Sequence, residues 1–598
     1  RPGGSMRARL ERLVAATERW QQRDLERAEA SPLRAALLLV ALVLGLHLVG
    51  MLALPPLDRT EVIYAQTARQ MLETGSAVAP HFQAEPRYDK PLPVLWLQAA
   101  TARLLGLQDD ISGYRVPSLL GTLLAVLATF WGVRSLLGAR VAFVGASLLA
   151  TCLAVTVQAT LAMPEALMLA ATCAAMWALA RMYAAPEGEA PGFPVAMLFW
   201  LSLGLGMLVN VFTVPLIALL TVLALAIADR GRIGWLCRAA PPVGIVVMLA
   251  IASIWPLALW YGGTLDAAIA QWKAEGWHLL LGPQEMKWRV VPGLFLVFLL
   301  LGLFPAGLFL APALGLAWRE RATSPPVRFM LAWIVPYLLF LEVFTRKTPL
   351  YMVQAMLPAL AVLFALWIVK GDAAREHDDR GFRLGVYGWL ALVAGLVVAL
   401  WALPLLLHEP PRIAGLATGT AMLAAAVITA KALVSGRRLA AFSALVTTAI
   451  LFNYTAIAET FAGLRPVWVS SEVRAAVDGL RRCSPADVVI AGHTEPSAVF
   501  ELGTDTVRTG DGAKAAALFR TRGGLAVVAE AQADAFLGHA QTLPSNIACI
   551  AAYDFIKSCT HRLSVYTSSP SKFASCSLPE RFRCATVLQQ PIIGRLCK

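Results

Sequence analysis

The stretch A-A-L-L-L-V-A-L-V-L-G-L-H-L-V-G-M-L-A-L-P-P-L-D-R-T-E-V-I-Y, residues 35–64, sets an apolar run of membrane length directly before two carboxylates, Asp58 and Glu61. A bilayer hydrocarbon core about 30 Å thick is crossed by roughly 20 mainly apolar helical residues. Working outward from this run, spans are expected at 35–56, 115–133, 139–157, 161–182, 192–208, 210–229, 240–262, 292–318, 326–345, 350–369, 384–405, 413–430 and 440–462. The chain has 598 residues, 58% hydrophobic and 15% charged, with a mean hydropathy of +0.64. That composition excludes an ordinary water-soluble globule and implies an α-helical polytopic membrane protein.

The net charge of +13 does not point to nucleic acid, because the basic residues fall in short loops between apolar runs. With the N-terminus cytoplasmic, the cytoplasmic loops hold Arg134, Arg140, Arg181, Arg230, Arg232, Arg238, Arg319, Arg321, Arg328, Lys370, Arg375, Arg380, Arg383, Lys431, Arg437 and Arg438. The opposite short loops hold only Arg346, Lys347 and Arg412, so the positive-inside bias sets the orientation. Residues 1–34 read as a cytoplasmic amphipathic helix, 35–462 as the transmembrane domain, and 463–598 as a periplasmic domain. The tail alternates β-like runs (D-V-V-I-A-G, G-L-A-V-V-A) with helical ones, suggesting a small α/β domain. It carries six of the nine cysteines, an even number that permits disulfides in an oxidising compartment, and no C-x-x-C zinc pattern occurs. Two outward loops are long. Loop 57–114 contains two helical stretches expected to lie along the membrane surface, and loop 263–291 offers Trp272, Trp277 and Trp288 to the interface.

Charges near hydrocarbon are disfavoured by about 2.5–3.5 kcal/mol on insertion scales, so those at the outer edge need a reason. Asp58 and Glu61 follow the first span, Lys90 sits in R-Y-D-K-P-L-P, and Glu165 starts the fourth span. Lys287 and Arg289 precede the eighth, and Arg346, Lys347 and Tyr351 link the ninth and tenth. Each has an ordinary reading beside the functional one: the acids as helix starts, Lys287 and Arg289 as interfacial side chains whose stems run along lipid. Together they suit a lipid-borne anionic substrate, with cations on a phosphate and a carboxylate taking a proton from an incoming hydroxyl.

The segments P-P-L-D-R-T-E-V-I-Y-A-Q-T-A-R-Q-M-L-E-T-G, F-Q-A-E-P-R-Y-D-K-P-L-P-V-L-W-L-Q-A-A, Y-R-V-P-S-L-L-G, K-T-P-L-Y and E-P-S-A-V-F-E-L-G-T-D-T carry a resemblance across most of residues 35–566. They resemble the lipid A aminoarabinose transferase family and, more distantly, the protein O-mannosyltransferases. The resemblance implies a GT-C glycosyltransferase fold with about 13 transmembrane helices and a periplasmic C-terminal domain. It implies Glu61, with Asp58, as the catalytic acids, and Lys90, Arg289 and Tyr351 as ligands of a polyprenyl phosphate; Glu165 as a supporting acid and Lys347 as a further phosphate ligand are read from their place at the outer edge. The chain departs from the family pattern at Thr60-Glu61-Val62-Ile63, where Asp-Glu-x-Arg is usual. It departs again at Met163-Pro164-Glu165, where close relatives have Lys-Thr-Asp, and at Leu350, where a histidine is expected.

By this resemblance the reaction moves a sugar from an undecaprenyl-phosphate donor to lipid A or another envelope acceptor, at the periplasmic face of the bacterial inner membrane. 4-Amino-4-deoxy-L-arabinose is the leading sugar. No nucleotide-binding loop is present, no organic cofactor is required, and a divalent ion between the acids is the one metal the pattern leaves room for. The rival readings are a protein or glycan transferase of the same fold, a lipid-binding homologue without catalysis, and a lipid transporter. The transporter is disfavoured because the chain shows no repeated halves and its charges sit at one edge.

Overall fold

The protein is described from a computed structural model, which covers residues 26, 29–57, 59–186, 189, 191–280, 292–344, 350–370, 380–541, 543–554, 558–589 and 595–597, with backbone alone for 274–280, 350, 351, 588 and 589. The proposed amphipathic helix 1–34 therefore lies almost wholly outside the described residues.

Among the described residues, nine helices are long and apolar enough to cross a membrane. Two bent pairs, Ala139–Thr151 with Leu153–Ala159 and Leu294–Gly302 with Ala306–Glu320, raise the number to eleven. Two shorter apolar helices, Phe193–Val209 and Thr213–Ala228, occupy the remaining expected windows. The bends of 65° and 112° meet: Leu153 N donates to Phe304 O at 2.9 Å, so each break supplies a partner for backbone that the other frees.

Four helices frame the region after the first span: α1 (Pro32–Ala53), α2 (Thr60–Thr74), α3 (Leu92–Leu104) and α4 (Ile111–Leu137). Ser31 caps α1 ahead of Pro32, and the Asp110 carboxylate accepts from Ser112 N to cap α4. α2 stops at Gly75, whose φ of 71° only glycine adopts at no cost. Helix α5 (Glu165–Ala184) packs along α4. The two backbones approach closely because Gly121 and Gly132 carry no side chain; a Cβ on the first would stand 2.7 Å from the Ala166 carbonyl carbon, and one on the second would collide with Trp177 Cβ. The α4 boundary differs from the expected 115–133: the helix begins at Ile111, which places Arg115 inside it, fully buried.

The two helical stretches expected in loop 57–114 are α2 and α3, joined by the hairpin of β1 (His81–Phe82) and β2 (Glu85–Pro86). The C-terminal region begins with α6 (Val469–Arg481), includes α7 (Gly512–Arg522), and builds a sheet of β3 (Val488–Ala491), β4 (Val507–Thr509), β5 (Leu525–Ala529), β6 (Ser545–Asp554), β7 (Cys559–Thr567) and β8 (Arg595–Leu596). The order is β4-β3-β5-β7-β6, with β8 beside β7; β3 is parallel to β4 and β5, and β7 is antiparallel to β5 and β6. β3 and β5 are buried throughout and read as continuous apolar runs, as strands covered on both faces do. The six tail cysteines pair as Cys483–Cys576, Cys549–Cys584 and Cys559–Cys597.

Candidate functional site

Glu61, in the first turn of α2, is buried against Arg115 of α4. The guanidinium meets the carboxylate through two bonds, Nε to Oε1 at 2.7 Å and Nη2 to Oε2 at 3.1 Å. Its remaining donors close the end of α1: Nη1 reaches Met51 O and Leu54 O at 2.8 and 2.6 Å, and Nη2 reaches Pro55 O at 2.9 Å. The carboxylate also accepts from Leu57 N on Oε2 and from Ala162 N on Oε1, both at 2.8 Å. One ion pair thus ties the end of α1, the start of α2, α4 and the loop ahead of α5. Each Glu61 oxygen accepts one bond from the guanidinium and one from a backbone N–H, so its lone pairs are occupied. The geometry fits a carboxylate that holds these segments in place.

The loop 160–164 is held from every side. Gln98 donates to Ala162 O at 3.0 Å, Ser118 to Met163 O at 2.9 Å, and Gln354 to the backbone O of Glu165 at 3.0 Å. The last bond brings the turn Leu350–Met356, which contains Tyr351, against the start of α5. Glu165 itself is 6% exposed, and its Oε2 is buried with no hydrogen-bond donor. Lys90 is close enough to act electrostatically on it. The Lys90 ammonium lies 3.0 Å from Asp89 Oδ2 and over the Tyr64 ring at 5.0 Å. The second long loop fixes that turn: Tyr88 N donates to Gln271 Oε1, and Trp272 Nε1 donates to Tyr88 O. Trp272 therefore braces the Lys90 turn rather than serving only as an interfacial anchor.

Glu61, Lys90, Glu165 and the backbone of Tyr351 thus come together at one end of the bundle. Asp58, Lys287, Arg289, Arg346, Lys347 and Trp288, and the side chains of Trp277 and Tyr351, lie outside the described residues. Sequence reasoning did not single out Arg115, Gln98, Ser118 or Gln354. Arg115 carried a usable signal, an arginine in the first turns of an apolar helix, where only a partner makes it tolerable. The opposite end of α5 holds a second cluster: Tyr183 donates to Asp229 at 2.8 Å, Arg328 pairs with Asp229 at 2.6 Å, and Arg238 donates to Met182 O and Ala185 O.

The C-terminal domain docks on α2 through residues 495–506. Gln66 donates to Thr504 Oγ1 at 2.7 Å, Arg69 to Phe500 O at 3.0 Å, and Gln83 to Thr504 O and Thr506 O. Arg59 lies 3.5 Å from Glu495, and the buried Phe500 ring meets Tyr114 edge-on at 5.8 Å. The acids do not assemble a metal-ligand set among the described residues. The one group of His, Cys, Asp or Glu side chains with metal-ligand spacing there is Cys559, His561 and Cys597, and its cysteines are bonded to each other.

With this geometry established, the whole backbone can be compared with solved structures. The structure of ArnT from Cupriavidus metallidurans bound to undecaprenyl phosphate superposes on 91% of this chain and 99% of that one, with a TM-score of 0.66 and 16% identity. The chain has the GT-C fold. In sequence, residues 89–260 match the family model described as dolichyl-phosphate-mannose-protein mannosyltransferase. The undecaprenyl phosphate-alpha-4-amino-4-deoxy-L-arabinose arabinosyl transferase of Edwardsiella ictaluri is 28% identical over 350 residues, 56% of this chain and 59% of the relative. That of Pectobacterium atrosepticum is 28% identical over 353 residues, 57% and 59% respectively. The match thus spans about three-fifths of these curated relatives. The resemblance to this family read from the sequence is borne out, and the chain is a multi-pass membrane protein.

Proposed function

We propose that the protein is a polyprenyl-phosphate-sugar-dependent glycosyltransferase of the bacterial inner membrane. It moves 4-amino-4-deoxy-L-arabinose or a related sugar from an undecaprenyl-phosphate donor to lipid A or another envelope acceptor at the periplasmic face. The observation that carries this reading is the meeting of Lys90, Glu165 and the turn Leu350–Met356 at one end of the bundle, locked by the Glu61–Arg115 pair. The names of the similar transferases supply the donor and the sugar. The cationic cluster at the far end of α5, some 18 residues or about 27 Å away at 1.5 Å per residue, supports an orientation with that end cytoplasmic and the acids and C-terminal domain periplasmic.

In this mechanism Asp58 is the acid that orients or deprotonates the acceptor hydroxyl. Glu61 holds the loop 160–164 and so sets the place of Glu165, whose unbonded oxygen is left as a second acceptor. Lys90, Arg289, Lys347 and Tyr351 neutralise the departing lipid phosphate, which makes it a good leaving group without an organic cofactor. The test is transfer of label from a radiolabelled undecaprenyl-phosphate sugar to membrane acceptors by the full chain in nanodiscs. Asp58→Asn abolishes transfer at an unchanged melting temperature, and Lys90→Gln raises the donor KM. Label that stays on the lipid whatever acceptor is supplied, or crosses the membrane without transfer, refutes the reading.

A further inference from the structure

Some cations of the C-terminal domain are neutralised by carboxylates and others are not. Arg474, Arg581 and Arg583 are paired with Glu501, Glu472 and Glu580 at 2.7, 3.1 and 3.3 Å. Arg481, Arg522 and Lys572 have no ion-pair partner among the described residues, and all three line one open cleft of about 640 Å³. They come from separate elements: the last residue of α6, the last residue of α7, and the turn Pro570–Phe573 after β7. Both arginines are held by backbone oxygens, Arg481 by Ala486 O and Leu502 O at 3.1 and 3.2 Å, Arg522 by Asp505 O at 3.3 Å.

An arginine at the end of a helix is ordinarily explained by the helix dipole, so the charges decide whether anything is left over. Two helix ends contribute about −0.5 each, and Asp487 on the rim contributes one full negative charge. Against three cations this leaves the cleft about one positive charge in excess. Its other polar side chains are the hydroxyls of Ser484, Ser568 and Ser569, beside the buried Thr567, whose Oγ1 donates to Gly524 O and accepts from Ser569 N. The Gly523–Gly524 turn, with φ of 69° and 86°, lies against the backbone of Asp487, so close that a Cβ on Gly524 would collide with the Asp487 carbonyl oxygen. The cleft sits where β3 and β5 begin, and its two arginines bond Leu502 O and Asp505 O on the segment that docks on α2. None of its lining residues belongs to the site around Glu165.

We propose that this cleft binds a phosphorylated saccharide, with the cations on the phosphate and the hydroxyls on the sugar. The phosphate is either free or borne by a glycolipid. Calorimetry on the full chain in zwitterionic nanodiscs tests it with glucose 1-phosphate, glucose, phosphatidylcholine vesicles containing lipid A, and vesicles containing phosphatidylglycerol. Glucose 1-phosphate or lipid A vesicles bind, glucose does not, and added salt weakens the binding. Arg522→Gln with Lys572→Gln, both exposed positions, weakens it by about tenfold or more, and Asp487→Asn tightens it. Binding of glucose 1-phosphate identifies a free phosphate as sufficient, whereas binding of lipid A vesicles alone identifies a glycolipid. Binding of neither ligand, equal binding by glucose or by phosphatidylglycerol vesicles, or full affinity in the double variant overturns the proposal.

Discussion

The buried Glu61–Arg115 pair can be tested by substituting Arg115→Met, Glu61→Met, and both together. Both side chains are 0% exposed. Removing the arginine leaves a carboxylate with only the N–H groups of Leu57 and Ala162, and leaves the carbonyls of Met51, Leu54 and Pro55 without their donor. A buried charge stripped of its partner costs about 3–5 kcal/mol, and each orphaned carbonyl adds about 1–3 kcal/mol unless water reaches it. Arg115→Met therefore destabilises by at least about 4 kcal/mol, and Glu61→Met, which strands the guanidinium, by about 3–5 kcal/mol. The double variant contains no stranded charge, only backbone groups without partners. It falls short of the sum of the single losses by about 3 kcal/mol or more, a coupling that a double-mutant cycle reads directly. Unfolding in detergent micelles, followed by tryptophan fluorescence against denaturant, supplies the three free energies. Additive losses, or a single loss below about 1 kcal/mol, would refute the reasoning, because they would mean that water already solvates the pair.

Other contacts carry outcomes of their own. Glu61→Gln lowers the melting temperature together with transfer activity, whereas Glu165→Gln leaves the melting temperature unchanged or raised, since its Oε2 has no donor to lose; thermal melts beside transfer rates separate the two. Gly121→Val drives a side chain into the Ala166 backbone and costs about 1–3 kcal/mol or more, seen as a lower melting temperature. Phe500→Ala empties a buried position between α2 and α4 and costs about 3–5 kcal/mol, read as faster proteolytic release of the C-terminal domain. The Cys483–Cys576 bond joins residues 93 apart, so removing it takes up to about 4–5 kcal/mol from that domain in the chain-entropy account; melts of the Cys483→Ala, Cys576→Ala double variant beside the unchanged chain measure it.

The spans were legible because a bilayer demands a fixed apolar length, and every expected window holds an apolar helix or bent pair. The bends at Cys152 and Leu303–Pro305 were not, since each depends on backbone bonding to the other. Asp58 and Glu61 stood out as acids beside hydrocarbon, but the role of Glu61 did not. Arg115 lies 54 residues further on, and its burial depends on α4 starting at Ile111, ahead of the apolar window. Gln98, Ser118 and Gln354 gave no signal because single neutral polar residues are common in membrane helices, and their shared target is a loop visible only in three dimensions.

The contrast between two carboxylates explains why a membrane protein retains so costly a pair. Glu61 accepts bonds on both oxygens from Arg115, Leu57 N and Ala162 N and is immobilised. Glu165 opens α5 directly after the loop that Glu61 holds, yet one of its oxygens accepts none. A reacting group must be held without being neutralised, and a carboxylate saturated by donors cannot also serve the substrate. In the proposed reaction, dividing the work between two acids resolves that conflict. The Glu61–Arg115 pair carries the desolvation cost at a place that never changes partner during a reaction. Glu165 and the Lys90 turn stay close to it with bonding capacity to spare. Conservative changes at Glu61 are therefore expected to act through geometry and stability, and changes at Glu165 on turnover alone.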